Sequence, residues 1–207
     1  MIGLHQRRWI AVLAMAVGPI LPVGGLCAQD AADPDNAVIV TTGEGAGHTG
    51  RLAVNIAAGN HNQQAASALV AQGDVAVTLG AITQISTSTG SEDTANRIAI
   101  GAGAFAGNAG LVSLNITAGT QNQSANLAAL TIGPAGALSD LLLEQSRAPI
   151  EPSGGTAQSA TGPNDVIAIG DDAFGQGSGL FQANVIGGER NSSANTFSLT
   201  VTVGGQP

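Results

Sequence analysis

Asn115-Ile116-Thr117-Ala118-Gly119-Thr120-Gln121-Asn122-Gln123-Ser124-Ala125-Asn126 occurs, in variant form, three times in this chain. One copy starts at Asn55 (Asn-Ile-Ala-Ala-Gly-Asn-His-Asn-Gln-Gln-Ala) and another at Asn184 (Asn-Val-Ile-Gly-Gly-Glu-Arg-Asn-Ser-Ser-Ala-Asn). Within the copies asparagine recurs at 55, 115 and 184 and again at 62, 122 and 191. Glycine recurs at 59, 119 and 188, and alanine at 65, 125 and 194. Self-similarity at fixed spacing is the signature of stacked architectures, in which no unit buries its own face alone.

Working outward, each copy is preceded by an apolar triplet: Val38-Ile39-Val40, Ile98-Ala99-Ile100 and Ile167-Ala168-Ile169. Gly50, Gly110 and Gly179 superpose between triplet and asparagine, and each unit ends near Gly73, Gly133 or Gly204. The repeats therefore span 38–73, 98–133 and 167–204, about 36 residues each, joined by linkers at 74–97 and 134–166. Unequal linkers between nearly equal units mark the units as structural modules.

Inside a unit the period is two. Leu52, Val54 and Ile56 alternate with Arg51, Ala53 and Asn55; Val112, Leu114 and Ile116 repeat the pattern, and Phe181, Ala183 and Val185 take that face in the third unit. Such alternation is that of a half-buried strand. Gly59, Gly119 and Gly188 each open a Gly-x-x-Asn turn, since glycine accepts positive φ and asparagine tolerates the left-handed region. A second strand follows, with Ala66-Ala68-Val70, Asn126-Ala128-Leu130 and Asn195-Phe197-Leu199 on one face. The first linker, rich in Thr and Val over 74–89, extends the β structure; the second predicts one short helix, Ser139 capping Asp140 to Arg147, within an otherwise flexible segment. The expected fold is all-β, a β-solenoid or cross-β stack of three repeats and two linkers.

The N-terminus reads as a signal peptide over 1–28: basic at Arg7-Arg8, apolar from Trp9 to Ile20, small at Ala28. Pro19 and Pro22 interrupt the apolar run against a membrane helix, and Leu26 before Cys27 argues against lipid attachment. Cleavage there leaves 179 residues without cysteine or tryptophan, four arginines against fourteen acids, and a formal charge of −10. Residues 29–37 are polar and read as a disordered mature N-terminus. An acidic chain with scattered arginines suits neither nucleic acid nor anionic membrane. Its small side chains offer little apolar area, so stability must come from backbone pairing repeated along a stack.

Stacking in register places each asparagine about 4.8 Å from its counterpart, and an amide carries both donor and acceptor. Asn55, Asn115 and Asn184 are the candidates for one self-association column. Asn62, Asn122 and Asn191 are candidates for a second, or are there because asparagine favours turns. Asp30, Asp33 and Asp35 at one end act as gatekeepers against uncontrolled growth. No catalytic, cofactor or metal constellation is legible. His48 and His61 have no counterparts in the other units, and Asp171-Asp172 reads as a solvated turn. Asn115-Ile-Thr, Asn122-Gln-Ser and Asn191-Ser-Ser match glycosylation acceptors, a pattern common by chance. Without a recurring triad, paired carboxylates or a carboxylate cluster on one face, an enzyme is not expected.

The segments Gly107 to Leu130, Gly47 to Val70 and, more loosely, Gly179 to Leu199 resemble the repeats of Fap-type functional amyloid subunits. Ser192 departs from that pattern where the other units have Gln63 and Gln123. The resemblance implies a secreted structural protein of a Gram-negative bacterium. It would travel through the periplasm and a dedicated outer-membrane export pore, and assemble with itself and a related subunit into cell-surface fibres of a biofilm. A second resemblance, at Ile98 to Gly107 and Ile167 to Gly175, is to rungs of trimeric autotransporter adhesin heads. It implies instead a solenoid that binds a surface ligand without forming fibres.

Overall fold

The computed structural model describes residues 9–13, 34–88, 94–149 and 165–202. Residues 1–8, 14–33, 89–93, 150–164 and 203–207 lie outside them, and with them the readings of a signal peptide, of a disordered segment up to Asp33 and of a flexible second linker beyond 149. Among the described residues there is no helix, and twelve strands run in chain order. They are β1 (Trp9–Leu13), β2 (Asn36–Val40), β3 (Thr49–Ala58), β4 (Gln63–Gln72), β5 (Val75–Ser86), β6 (Asn96–Ile100), β7 (Ala109–Ala118), β8 (Gln123–Ile132), β9 (Gly136–Arg147), β10 (Val166–Ile169), β11 (Ser178–Gly187) and β12 (Ser192–Val201). β2 starts at Asn36, so the last two residues of the segment expected to be disordered belong to a strand, and both are buried.

Every pairing is parallel, and those among the repeat strands join equivalent residues of different repeats. β3, β7 and β11 form one sheet, β4, β8 and β12 another, and β2, β6 and β10 a third with β1 at its outer edge. Asn55 pairs with Asn115 and Asn115 with Asn184. The chain is thus a stack of three rungs, with the second repeat in the middle.

Within a rung the strands lie as successive layers, each interface with its own chemistry. Between the β2 and β3 layers lies the apolar core: Val38, Val40, Ile98, Ile100, Leu114 and Ile116 are all buried. Between the β3 and β4 layers the contents are amides and hydroxyls. Asn126 Nδ2 donates to Leu114 O at 2.9 Å and Asn115 Nδ2 to Ala65 O at 2.9 Å.

The fourth layer comes from the linkers. β5 pairs in register with β9 from Val75–Gly136 to Ser86–Arg147 and packs on the β4 layer. The helix expected from Asp140 to Arg147 is therefore a strand. Leu, Glu and Gln are good helix formers, but the segment also alternates: Ser139, Leu141, Leu143 and Gln145 turn inward while Leu138, Asp140, Leu142 and Glu144 are exposed. Once β5 offers an unpaired edge, ladder hydrogen bonds and burial on the β8 layer outweigh a propensity worth only tenths of a kcal/mol per residue.

The buried Thr78 and Thr131 hydroxyls, 2.8 Å apart, tie the fourth layer to the third. Thr78→Val is expected to lower stability by about 1–3 kcal/mol by stranding the Thr131 hydroxyl, and adding Thr131→Val to recover most of it. Urea unfolding of the freshly prepared monomer measures both; a double variant no more stable than the single would separate the two layers energetically.

The Gly-x-x-Asn turns differ from expectation in one respect. The left-handed residues are the glycine and the residue before the asparagine: Gly59 and His61, Gly119 and Gln121, Gly188 and Arg190. The asparagines stay out of that region because their side chains are used between rungs. A Cβ on Gly59 or Gly119 would collide with the glycine carbonyl oxygen of the next rung, so these positions need glycine for close approach as well as for φ.

Candidate self-association site

At the centre of the molecule a column of amides runs along the stack. Asn184 Nδ2 donates to Asn115 Oδ1 at 2.9 Å, and Asn115 Nδ2 donates to Asn55 Oδ1 at 2.8 Å. β3, β7 and β11 place all three because their residue 55, 115 or 184 alternates away from the apolar core and toward the β4 layer.

Sequence reasoning missed a second column alongside it. Asn195 Nδ2 donates to Asn126 Oδ1 at 2.9 Å, and Asn126 Nδ2 donates across to Asn115 Oδ1 at 3.1 Å. The first rung has Ala66 at that position, so this column begins only at the second. The signal is the Asn126–Asn195 match, which in sequence alone marks only a shared strand face.

Asn62, Asn122 and Asn191 do not bond amide to amide. Each side chain of the first two grips the backbone of the rung above. Asn62 Nδ2 donates to Gly119 O at 2.8 Å while its Oδ1 accepts from Asn122 N at 3.0 Å. Asn122 does the same to Gly188 O at 2.8 Å and Asn191 N at 2.9 Å. Asn115 and Asn122 are buried, which closes two of the three glycosylation acceptors to modification.

Three more in-register sets complete the polar ladders. Gln123 Nε2 donates to Gln63 Oε1 at 3.2 Å, and Ser192 Oγ to Gln123 Oε1 at 3.1 Å, so the shorter serine still closes the third rung. Gln145 Nε2 donates to Gln84 Oε1 at 2.7 Å in the fourth layer. Two residues ahead of the apolar triplets, Asn36 Nδ2 donates to Asn96 Oδ1 at 2.9 Å and Asn96 Nδ2 to Asp165 Oδ1 at 2.7 Å. Asn36, Asn96 and Asp165 share the spacing of the other columns; starting the repeats at the triplets hid them.

The ends of the stack differ from its middle. Ile98 and Ile100 are 0% and 3% exposed in the second rung, but their counterparts Ile167 and Ile169 are 46% and 53% exposed in the third. β10, β11 and β12 are paired on one side only, as are β3, β4 and β5 at the opposite end. The outer edge of β2 is occupied by β1, with Trp9 opposite Asn36 and Leu13 opposite Val40.

Arg147 and Arg190 meet at a corner of the upper rungs. Arg190 Nη2 donates to Ala148 O at 2.6 Å and Arg147 Nη2 to Ser192 Oγ. Burial, and then the neighbouring Arg190, lower the Arg147 guanidinium from its ordinary value, but an arginine keeps its charge at any pH of interest.

A parallel, in-register stack that joins like residue to like and bonds side-chain amides along its axis is a β-solenoid-like repeat fold, with the strand geometry of cross-β assemblies. The sequence model of the functional amyloid protein FapB/FapC family matches residues 27–202, and the chain belongs to that family. It is a family of structural proteins rather than of enzymes. No solved structure matches the chain.

Proposed function

We propose that this chain is an exported subunit that polymerises end to end, the third rung of one copy seating on the first rung of the next, into extracellular fibres that serve a biofilm or adhesion. The observation that carries the reading is the contrast between Ile98 and Ile100, buried by a rung above, and Ile167 and Ile169, with nothing above them. A second copy supplies the missing rung with the same register already used twice inside the molecule. Asn55, Asn115 and Asn184 then continue as one column from copy to copy, Asn62, Asn122 and Asn191 repeat their grip on the next backbone, and Gly59, Gly119 and Gly188 let the turns nest.

In this reading the leader leaves on passage to the periplasm. Its removal frees the outer edge of β2 for the β10 strand of another copy. Export then proceeds through an outer-membrane pore of a Gram-negative cell, and a related subunit joins the fibre.

Purified residues 29–207 test this. Thioflavin fluorescence rising after a lag, with a meridional reflection near 4.7–4.8 Å, is the expected result. A chain that stays a monomer or trimer under the same conditions would favour the surface-binding adhesin module instead.

A further inference from the structure

We infer that Asp165 makes the junction between copies acid-favoured, because it ends an amide column with a group that only accepts. This rests on the end-to-end polymerisation proposed above and concerns its regulation.

The argument begins with hydrogen-bond polarity. An ionised carboxylate has no donor, so Asp165 obliges Asn96 to point its Nδ2 upward, at 2.7 Å, with the Asn96 backbone N–H adding a second bond to the same oxygen at 3.1 Å. Asn96 thereby turns Oδ1 down to Asn36, whose Nδ2 meets it at 2.9 Å. The column is oriented throughout, and Asn36 presents Oδ1 at its lower end. When the first rung of a new copy sits on the third rung of an old one, Asn36 Oδ1 comes over the Asp165 carboxylate. Two acceptors meet with no proton between them. The Asn55 column runs with the opposite polarity, so donor faces acceptor: its lower end carries the Asn55 amide N–H and its upper end Asn184 Oδ1, which accepts from Ser193 Oγ at 2.7 Å and Asn195 Nδ2 at 3.0 Å.

Protonation resolves the mismatch, since a carboxylic acid donates to Asn36 Oδ1 as an amide would. The surrounding charges also act on the junction. On its own rung Asp165 lies against the Gly188 turn, which carries Glu189, whose Oε1 accepts from Thr94 Oγ1 at 2.9 Å, and Arg190, directed at Ser88 O and Ala148 O. Below it, Arg97 is the register partner of Val166. Asp171 and Asp172 follow β10 on the same end. The incoming rung brings Asp35, whose Oδ2 accepts from Ala95 N at 3.0 Å, and Glu44, which add negative charge near the junction. It also brings His48, Arg51 and His61, and His61 takes the register position of Arg190. Positive charge on His61 opposes docking slightly, whereas a proton on Asp165 supplies the missing donor and favours it. Growth is therefore faster in acid than at neutral pH.

Seeded elongation of residues 29–207, followed by thioflavin fluorescence from sonicated wild-type seeds at pH 7 and pH 4, tests the assignment with Asp165→Asn and Asp165→Ala. Asp165→Asn restores an amide and is expected to elongate about tenfold faster than wild type at pH 7, the value of one recovered hydrogen bond of about 1.4 kcal/mol, and to lose most of the acid acceleration. Asp165→Ala removes the charge without supplying a donor and should fall between the two. Parallel pH profiles for wild type and Asp165→Asn, or equal rates for the Ala and Asn variants, would overturn the assignment while leaving end-to-end growth in place. No seeded growth by wild type at either pH would overturn the polymerisation reading and this one with it.

Discussion

Asn115→Asp is expected to destabilise the monomer by about 3–5 kcal/mol, the usual cost of a buried charge left without a partner. The Asn115 side chain is fully buried. All four of its hydrogen-bonding positions are used: Nδ2 donates to Asn55 Oδ1 at 2.8 Å and to Ala65 O at 2.9 Å, and Oδ1 accepts from Asn184 at 2.9 Å and Asn126 at 3.1 Å. Aspartate has the same shape and keeps the two accepted bonds. It turns an acceptor toward Asn55 Oδ1 and Ala65 O, where a donor is required.

Domains of this size have about 5–15 kcal/mol of total stability, so the urea midpoint should drop sharply. The sign of the pH response is also fixed. Burial and two facing acceptors favour the protonated acid in the folded state, so the penalty is full at neutral pH and relieved as pH falls through the carboxylate range, where the acid regains one donor. A midpoint unchanged at pH 7 would remove the column from what holds the rungs together.

Phe105→Ala is expected to cost a comparable 3–5 kcal/mol, roughly the range for truncating a buried phenylalanine. The ring is 1% exposed and stacks on Phe174 with centroids 5.9 Å apart and planes 4° from parallel. Phe174 in turn meets Phe181 at 5.4 Å. The first rung has Gly45 at the equivalent position, and the Phe105 ring lies over it: a Cβ built on Gly45 would be 2.6 Å from the ring. Truncation therefore leaves a void between rungs that glycine cannot fill. Alanine also keeps the left-handed backbone, φ 57, without the packing that holds it there. Phe105→Leu should recover part of the loss. A Phe105→Ala chain with a wild-type urea midpoint would mean that the triplet and strand positions alone form the core.

Legibility followed the kind of information each feature needs. Recurrence at equal spacing states which residues are equivalent, and in a parallel stack equivalent residues are neighbours, so the pairings of Asn55, Asn115 and Asn184 follow from the sequence alone. Alternation states which residues share a face, which is why Leu52, Val54 and Ile56 were separable from Asn55. Neither states what lies opposite a face. The Asn62 set was legible as a repeated position but not as a grip on the next backbone, because that depends on glycine carbonyls brought close by the turn. The Asn36–Asn96–Asp165 set recurred at the right spacing but fell outside the boundaries drawn from the triplets.

The amino-acid sequence by itself determined the number of rungs, the register between them, the strand–turn–strand order within each, and the need for glycine at Gly59, Gly119 and Gly188. Tertiary structure decided that the linkers add a fourth layer, that Asp140 to Arg147 is a strand, and that Asn126 and Asn195 join the central amides. Val75 to Ser86 and Gly136 to Arg147 share little beyond length and alternation, so nothing local marks them as partners. Only the unpaired edge of one, held in place by the β4 and β8 layers, makes extended backbone the lower-energy state of the other.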